Sequence, residues 1–482
     1  LKLYKECENL VDYYIGLKVY FFISRQKMLF IGSILLLLII NILLYVFYKK
    51  NRDSKLQLRN NELTYTEHKP ESVLVSRKIN HNATKVISKL IKKGYLAYAV
   101  GGCVRDILLN LSPKDFDIVT DATPEQILAL FKNSRLIGRR FKLIHVVFGR
   151  EVIEVATFRA CSERKSKKSK SGRLLLDNTY GTIEDDAIRR DFTINAIYYD
   201  HKHNKLLDFS NGIEDLNNNI LRIIGDAEAR YKEDPVRMIR AVRFSCMLKF
   251  ELEHATETAI LPLSHLLEDV PPGRRYNEVV KLMYTGYLTD IFKQLIKFDL
   301  FRHLFPVPNK FLEADHKYKD FVYKATRNTD ARIIKGKTIS PSFMLAVLLW
   351  KPVKYLTAKY IANGIDRIPA RQQAIKQVIS EQIVCTSIPK YFVSTIREIW
   401  ELQYKLENRK PKQIYLVLSH PRFRAAFDFL GIRDSACLLE NSTYDWWDKI
   451  QYLDKSKQDN MIKALIKNKH HKKKSNPKKK LQ

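Results

Sequence analysis

Near residue 226 the hydrophobic period of this chain changes, and the change divides it into two kinds of structure. Between about 76 and 225, helical stretches alternate with short apolar segments of period two. Residues 76–95 have the spacing of a helix, Ala97–Val100 that of a strand, and Gly101–Gly102 that of a turn opening a second helix, with more strands beyond. After 226 only helical periodicity remains, broken by Pro and Gly. The expected fold is therefore α+β: a mixed α/β domain in front and helices alone behind it.

Charge narrows the choice of partner. Lys and Arg number 84 against 52 Asp and Glu, a formal net charge of +32. A solvated surface does not need that excess, and a polyanion explains it; RNA and anionic lipid both qualify. Cys7, Cys103, Cys161, Cys246, Cys385 and Cys437 are scattered, with neither a CxxC pair nor a His pattern. They exclude a zinc-site or disulfide-framework reading and fit a reducing compartment.

Residues 1–27 form an N-terminal segment, and 28–48 are an uncharged apolar run long enough to cross a bilayer. The run has no small-residue cleavage site, so it reads as an uncleaved anchor. Positive charge is denser after it (Lys49, Lys50, Arg52, Lys55) than before it (Arg25, Lys27), which places the main body on the cytoplasmic side. Residues 49–75 read as a polar linker. Residues 456–482, almost without acid and ending in Lys clusters, read as a disordered basic tail.

The first chemical feature is Lys114-Asp115-Phe116-Asp117-Ile118-Val119. Period two puts Asp115 and Asp117 on one face and Phe116 and Ile118 on the other, towards a core. Two ionised carboxylates so close call for cations between them, and hard oxygen ligands suit Mg²⁺ or Mn²⁺. Taken alone, such a pair is more often a solvated strand end. Upstream lies Val100-Gly101-Gly102-Cys103-Val104-Arg105-Asp106. Its glycines let backbone N–H groups approach a triphosphate, and Arg105 adds a phosphate donor. A third acid, Glu154, stands in the alternating strand Glu151–Arg159 as a metal-site neighbour or an exposed strand position.

The order GGxVRD, DxD and strand acid continues with Arg189-Arg190-Asp191-Phe192-Thr193-Ile194-Asn195 and then Glu233-Asp234-Pro235-Val236-Arg237-Met238-Ile239-Arg240. Together these resemble the class II nucleotidyltransferases, which include bacterial poly(A) polymerases and CCA-adding enzymes, over about residues 76–455. The resemblance implies a head with a polymerase-beta-like palm (76–225), a helical neck that binds nucleotide and RNA (226–285), and a helical body and tail that bind RNA (286–455). It implies Asp115, Asp117 and Asp191 as catalytic residues, the first two and Glu154 on metal. Gly101, Gly102, Arg105, Arg190, Asp234, Arg237 and Arg240 are implied in the nucleotide site, with Asp234 and Arg237 reading the base edge.

Between the two enzymes, Arg135–Val146 resembles the poly(A) polymerase form of its hairpin, and so do Asn328–Ile333, Pro341–Ala346 and His420–Phe429. The implied reaction adds AMP from ATP to RNA 3′ ends (mRNA, small RNA, tRNA) without a template. The implied setting is a bacterial monomer at the cytoplasmic face of the inner membrane, near RNA-decay machinery. CCA addition to tRNA is the runner-up. An inactive, membrane-tethered RNA-binding protein is the rival of another class, and the intact acids speak against it. The basic loop Arg164–Arg173 is expected to track RNA or triphosphate, with weak sequence preference and steep salt dependence.

Overall fold

The computed structural model describes residues 66–68, 75–138, 142–160, 180–439 and 443–474, with side chains over 75–465 of these. The N-terminal segment, the anchor at 28–48, most of the linker, the basic loop at 164–173 and the end of the tail lie outside the described residues. The chain divides into two compact units, 1–65 and 66–482, and the second carries everything described below.

An eight-stranded sheet forms the head, in the order β1-β8-β7-β2-β3-β6-β5-β4. Its strands are β1 (Thr66–His68), β2 (Ala97–Val100), β3 (Phe116–Thr120), β4 (Ser134–Ile137), β5 (Leu143–Phe148), β6 (Glu151–Thr157), β7 (Ile197–Asp200) and β8 (Lys205–Asp208). β3 and β6 pair in parallel, and the other neighbours are antiparallel. Alternation sorts the faces. Phe116, Ile118, Ile144, Val146, Ile153 and Val155 are buried in one core with Val86, Ile87 and Leu90 of helix α1 (His81–Lys92). The intervening residues, among them Asp117, His145 and Glu154, therefore point to the opposite face. Asn80 caps α1, and it and Asn82 also donate to Glu151 at 2.5 and 2.6 Å, which ties the helix to β6.

Helix α2 (Gly102–Leu108) follows β2 at once, and α3 (Pro124–Leu130) follows β3 behind a Thr123–Gln126 capping box. A second capping box, Thr182 with Asp185, opens α4 (Ile183–Arg189). After α5 (Gly212–Asn217), α6 (Ala227–Glu233) and α7 (Val236–Leu248) begin the helical half, and α8 (Pro272–Met283) packs on α7. One continuous core runs from Phe192 and Ile194 through these helices to α9 (Pro341–Ala362), α10 (Arg367–Cys385), α11 (Lys390–Asn408) and α12 (Phe423–Ser435). A smaller core behind it holds Leu406, Phe427 and Trp447, whose indole N–H donates to the Leu406 carbonyl at 2.9 Å.

Three details differ from the sequence reading. The linker contributes edge strand β1, which pairs antiparallel with β8 over three residues, too short a run to show a period in the sequence. The helical half contains a two-residue strand, Glu251–Leu252, parallel to Ile220–Leu221. The tail is helical over α13 (Lys455–Lys474) instead of irregular. Ile462 is buried against the smaller core, and the Gln458 side chain donates to the Ile450 carbonyl at 3.0 Å, so local packing offsets the repulsion among its lysines. None of the described helices is long and apolar enough to cross a membrane.

Candidate active site

The acidic face of the sheet is set by strand register. Asp117 on β3 is the direct partner of Glu154 on β6, and Glu154 is in turn the partner of His145 on β5. The His145 Nε2 lies 3.3 Å from Glu154. Asp115 stands exposed immediately before β3 instead of within it. Burial first, and then the charges of Glu154 and Asp115, raise the Asp117 carboxyl to about 6, with Arg190 pulling the other way. Such mutual repulsion is the electrostatic signature of carboxylates arranged for a cation.

No group of three or more acidic, His or Cys side chains among the described residues closes on one point as a full metal cage. The donor set that does face one way, Asp115 and Asp117 with Glu154 beside them, fits Mg²⁺ or Mn²⁺ bound by one or two carboxylates plus substrate phosphates and water.

The glycine turn meets this face from β2. Val100 pairs with Asp117, so the next residue, Gly101, lies beside the carboxylate. Its φ of +83° suits glycine, and a Cβ there would sit 3.5 Å from Arg190 Nη1 and 3.7 Å from Asp117 Oδ2. Gly102 then begins α2. Cys103 is buried behind the turn, which pushes its thiol up to about 12 and makes it a packing residue.

Arg190 reaches the same place from the end of α4. Its Nε and Nη2 donate to Asp186 Oδ2 at 3.1 and 2.9 Å, Nε also contacts the Tyr198 hydroxyl, and the guanidinium stacks on the Tyr198 ring. Held so, Arg190 offers Nη1 to the space over Gly101.

Asp191 and Arg105 occupy a second, buried layer. Arg105 donates to Asp106 at 2.9 and 2.6 Å and to Asn195 Oδ1 at 2.7 Å, so its guanidinium is engaged within the protein. Asn195 passes the link to Asp191 Oδ1 at 3.1 Å, and Arg240 of α7 closes on Asp191 Oδ2 at 2.7 Å through Nε. Burial opposes ionisation of Asp191, but Arg240 and the Asn195 and Phe192 donors outweigh it and hold the carboxyl down to about 2. The chain Asp106–Arg105–Asn195–Asp191–Arg240 thus joins the glycine-turn helix to the neck. It meets the acidic face at Gly101, where a Cβ would sit 3.7 Å from Asp117 Oδ2 and 3.9 Å from the Asn195 carbonyl oxygen.

The neck supplies a third group. Arg230 of α6 donates to the carbonyls of Arg189 and Arg190 at 2.7 Å each. Glu233 bridges Arg230 and Arg237 at 2.5 and 2.6 Å. Arg237 also donates through Nη1 to the Arg230 carbonyl at 2.9 Å, while its Nη2 makes only a 3.5 Å contact to the Arg189 carbonyl. Asp234 ends α6 as its C-cap, its backbone N–H donating to the Arg230 carbonyl, but its side chain does not cap α7, which starts after Pro235. Its Oδ2 accepts from Arg274 Nη2 of α8 at 2.6 Å, while Asp234 Oδ1 and Arg274 Nη1 are buried with no hydrogen-bond partner among the described residues. Arg274, Arg230, Glu233, Asn195, Asp186 and Tyr198 belong to this site, and sequence reasoning did not single them out for it. Glu233 opens the EDxxR motif and Arg230 lies three residues before it, close enough for both to have been found. Arg274 carries no local signal.

Comparison with known proteins agrees with this layout. The poly A polymerase head domain family matches residues 97–222, the "probable RNA and SrmB- binding site of polymerase A" matches 249–312, and the arginine-rich C-terminus of polymerase A matches 363–480. Poly(A) polymerase I of Salmonella typhi is 40% identical over 410 residues, covering 82% of this chain and 88% of its own. A CCA-adding enzyme of Lactobacillus helveticus is 42% identical, but over only 42% of this chain and 49% of its own. Among solved structures, the Bacillus stearothermophilus CCA-adding enzyme in complex with CTP is 26% identical with a TM-score of 0.52, covering 76% of this chain and 80% of its own. The match to the CCA-adding sequence thus spans about half as much of this chain as the match to poly(A) polymerase I, and the chain belongs to the bacterial poly(A) polymerase I family of nucleotidyltransferases.

Proposed function

We propose that this polymerase joins AMP from ATP to RNA 3′ ends with Asp115 and Asp117 as the metal-holding catalytic pair and Glu154 as their neighbour. The observation that carries the reading is the raised Asp117 carboxyl, wedged by register between Glu154 and the Gly101 turn. Divalent Mg²⁺ or Mn²⁺ bound to these acids would supply Lewis-acid neutralisation of the triphosphate and of the attacking 3′-hydroxyl.

The chain's own residues do the rest. Gly101 and Gly102 let phosphate oxygens approach the backbone at the start of α2, and Arg190 presents Nη1 over that approach. Asp191, locked to Arg240, fixes the Arg189–Asp191 segment so that Arg190 keeps its aim. Arg105 acts from behind the turn through Asn195. Asp234 Oδ1, the buried acceptor that Arg274 leaves unpaired among the described residues, would accept from the adenine amino group once a base displaces what covers it, and the loosely held Nη2 of Arg237 would donate to the ring nitrogen beside it. Such an edge accepts and donates in the order adenine offers, with no template needed.

RNA would be held by phosphate contacts to the basic surface, in keeping with the net charge of +32. The run 28–48 would tether the protein to the inner membrane of its bacterium, which flotation with liposomes of the full chain and of residues 49–482 would test. The deciding experiment offers each nucleoside triphosphate separately, with Mg²⁺ and an unstructured RNA, to wild type and Asp115→Ala. A long ladder with ATP alone, lost by at least about 100-fold in the variant while RNA binding persists, is the expected result. Addition of CTP and one AMP to a tRNA lacking its end would move the assignment to CCA addition.

A further inference from the structure

A groove of about 650 Å³ runs between α10 and α11 in the helical half. Its floor is apolar, built by Ile379, Ile383, Ile388 and Val393. Two carboxylates line it, and each is already neutralised from within: Glu398 by Arg422 at 3.2 Å and Glu401 by Arg371 at 3.0 Å. Four cations line it as well (Lys376, Lys390, Arg397 and Lys405), and none has an ion-pair partner among the described residues. The groove is therefore left with uncompensated positive charge along apolar walls.

The arrangement is linear. Lys390, Arg397 and Lys405 recur at about two helical turns and so share one face of α11, a row roughly 22 Å long. Lys376 faces them from α10. The end of the row nearest Lys390 abuts the neck. Ser387 N–H donates to the Pro272 carbonyl at the start of α8, and Phe392 lies 6.2 Å from the Tyr276 ring of the same helix. That helix carries Arg274, which holds Asp234. A chain lying in the groove is thus led towards the nucleotide pocket.

We propose that this groove is a binding track for single-stranded RNA, holding the stretch upstream of the reacting 3′ end. The inference rests on the RNA-directed reading given above and assigns that grip to a particular surface. Evenly spaced cations over an apolar floor suit a phosphate backbone with bases laid against the walls. The protein's own Lys-rich tail, being cationic, is excluded as the occupant by charge.

The test uses the full chain carrying Lys376→Glu, Lys390→Glu and Arg397→Glu together, all three exposed positions that no fold contact requires. Filter binding without ATP, on an RNA of about 30 nucleotides, should weaken by roughly tenfold or more, and the slope of log affinity against log salt should fall by about 2. Extension of a primer of about 5 nucleotides, too short to span the row, should keep its rate and its KM for ATP. A charge-keeping variant, Lys376→Arg with Lys390→Arg and Arg397→Lys, should bind like wild type.

Unchanged affinity and salt slope in the charge-reversed protein would overturn the proposal, as would equal loss on the short and long primers. So would intact RNA affinity together with lost binding of polyglutamate, which would make the groove a docking site for an acidic peptide. Wild-type protein that fails to bind the long RNA at all would instead defeat the broader RNA reading.

Discussion

Single residues set the chemistry here by being placed where ordinary folding would avoid them. Among the described residues Arg190 pulls the Asp117 carboxyl down while Glu154 and Asp115 stand against it, and burial adds to the strain. Because its carboxyl is raised from 3.8 to about 6, the ionised form costs stability above that range, and the cost fades as pH falls towards 4. Asp117→Asn is expected to abolish polymerisation yet to stabilise the metal-free protein by about 2 kcal/mol at pH 8, with a smaller gain at pH 5, as read from chelator-treated denaturant melts. Asp191 has the opposite sign. Its carboxyl, held at about 2, contributes stability that is present above 3.8 and lost as pH falls through 2. Asp191→Asn should lower stability at pH 7 and flatten the acid limb of the stability profile between about pH 4 and 2 relative to wild type. An unchanged acid limb would remove Asp191 from its ion pair with Arg240. The face shared by Asp117 and Glu154 is legible in the alternation of Phe116, Ile118, Ile153 and Val155. The hold of Arg274 on Asp234 is not, because it joins positions 40 residues apart through the packing of α8 on α7.

At the scale of elements, the site is a junction of short segments each pinned by one close approach. α5 crosses the Arg190–Asn195 segment so tightly that a Cβ at Gly212 would lie 2.2 Å from the Thr193 carbonyl oxygen. Gly212→Ala must push that segment away, so a loss of more than about 3 kcal/mol is expected in equilibrium unfolding, with reduced ATP binding in whatever protein still folds. Gly94→Ala, at a turn with open space around it and φ +86°, should cost only about 1 kcal/mol and leave ATP binding alone. Helix and strand types were readable because helical spacing such as that of 76–95 and runs such as Ala97–Val100 act locally. Edge strand β1 and the tail helix α13 were not readable, since backbone pairing with β8 and burial of Ile462 supply what their own sequences lack.

For the whole molecule, division into units at residue 65 predicts that residues 66–482 retain ATP-dependent extension of soluble RNA with kcat within about twofold of the full chain. A larger loss would give the first 65 residues a part in catalysis. The sequence by itself determined the mixed α/β front, the mostly helical remainder, the acidic strand face and the family, because hydrophobic period, turn residues and motif spacing are properties of neighbours along the chain. Tertiary structure alone decided which arginine serves which carboxylate: Arg240 for Asp191, Arg274 for Asp234 and Arg190 for the space over Gly101. Those pairings depend on how neck helices pack against the sheet, and a long, flexible guanidinium side chain announces no partner until packing leaves it one within reach.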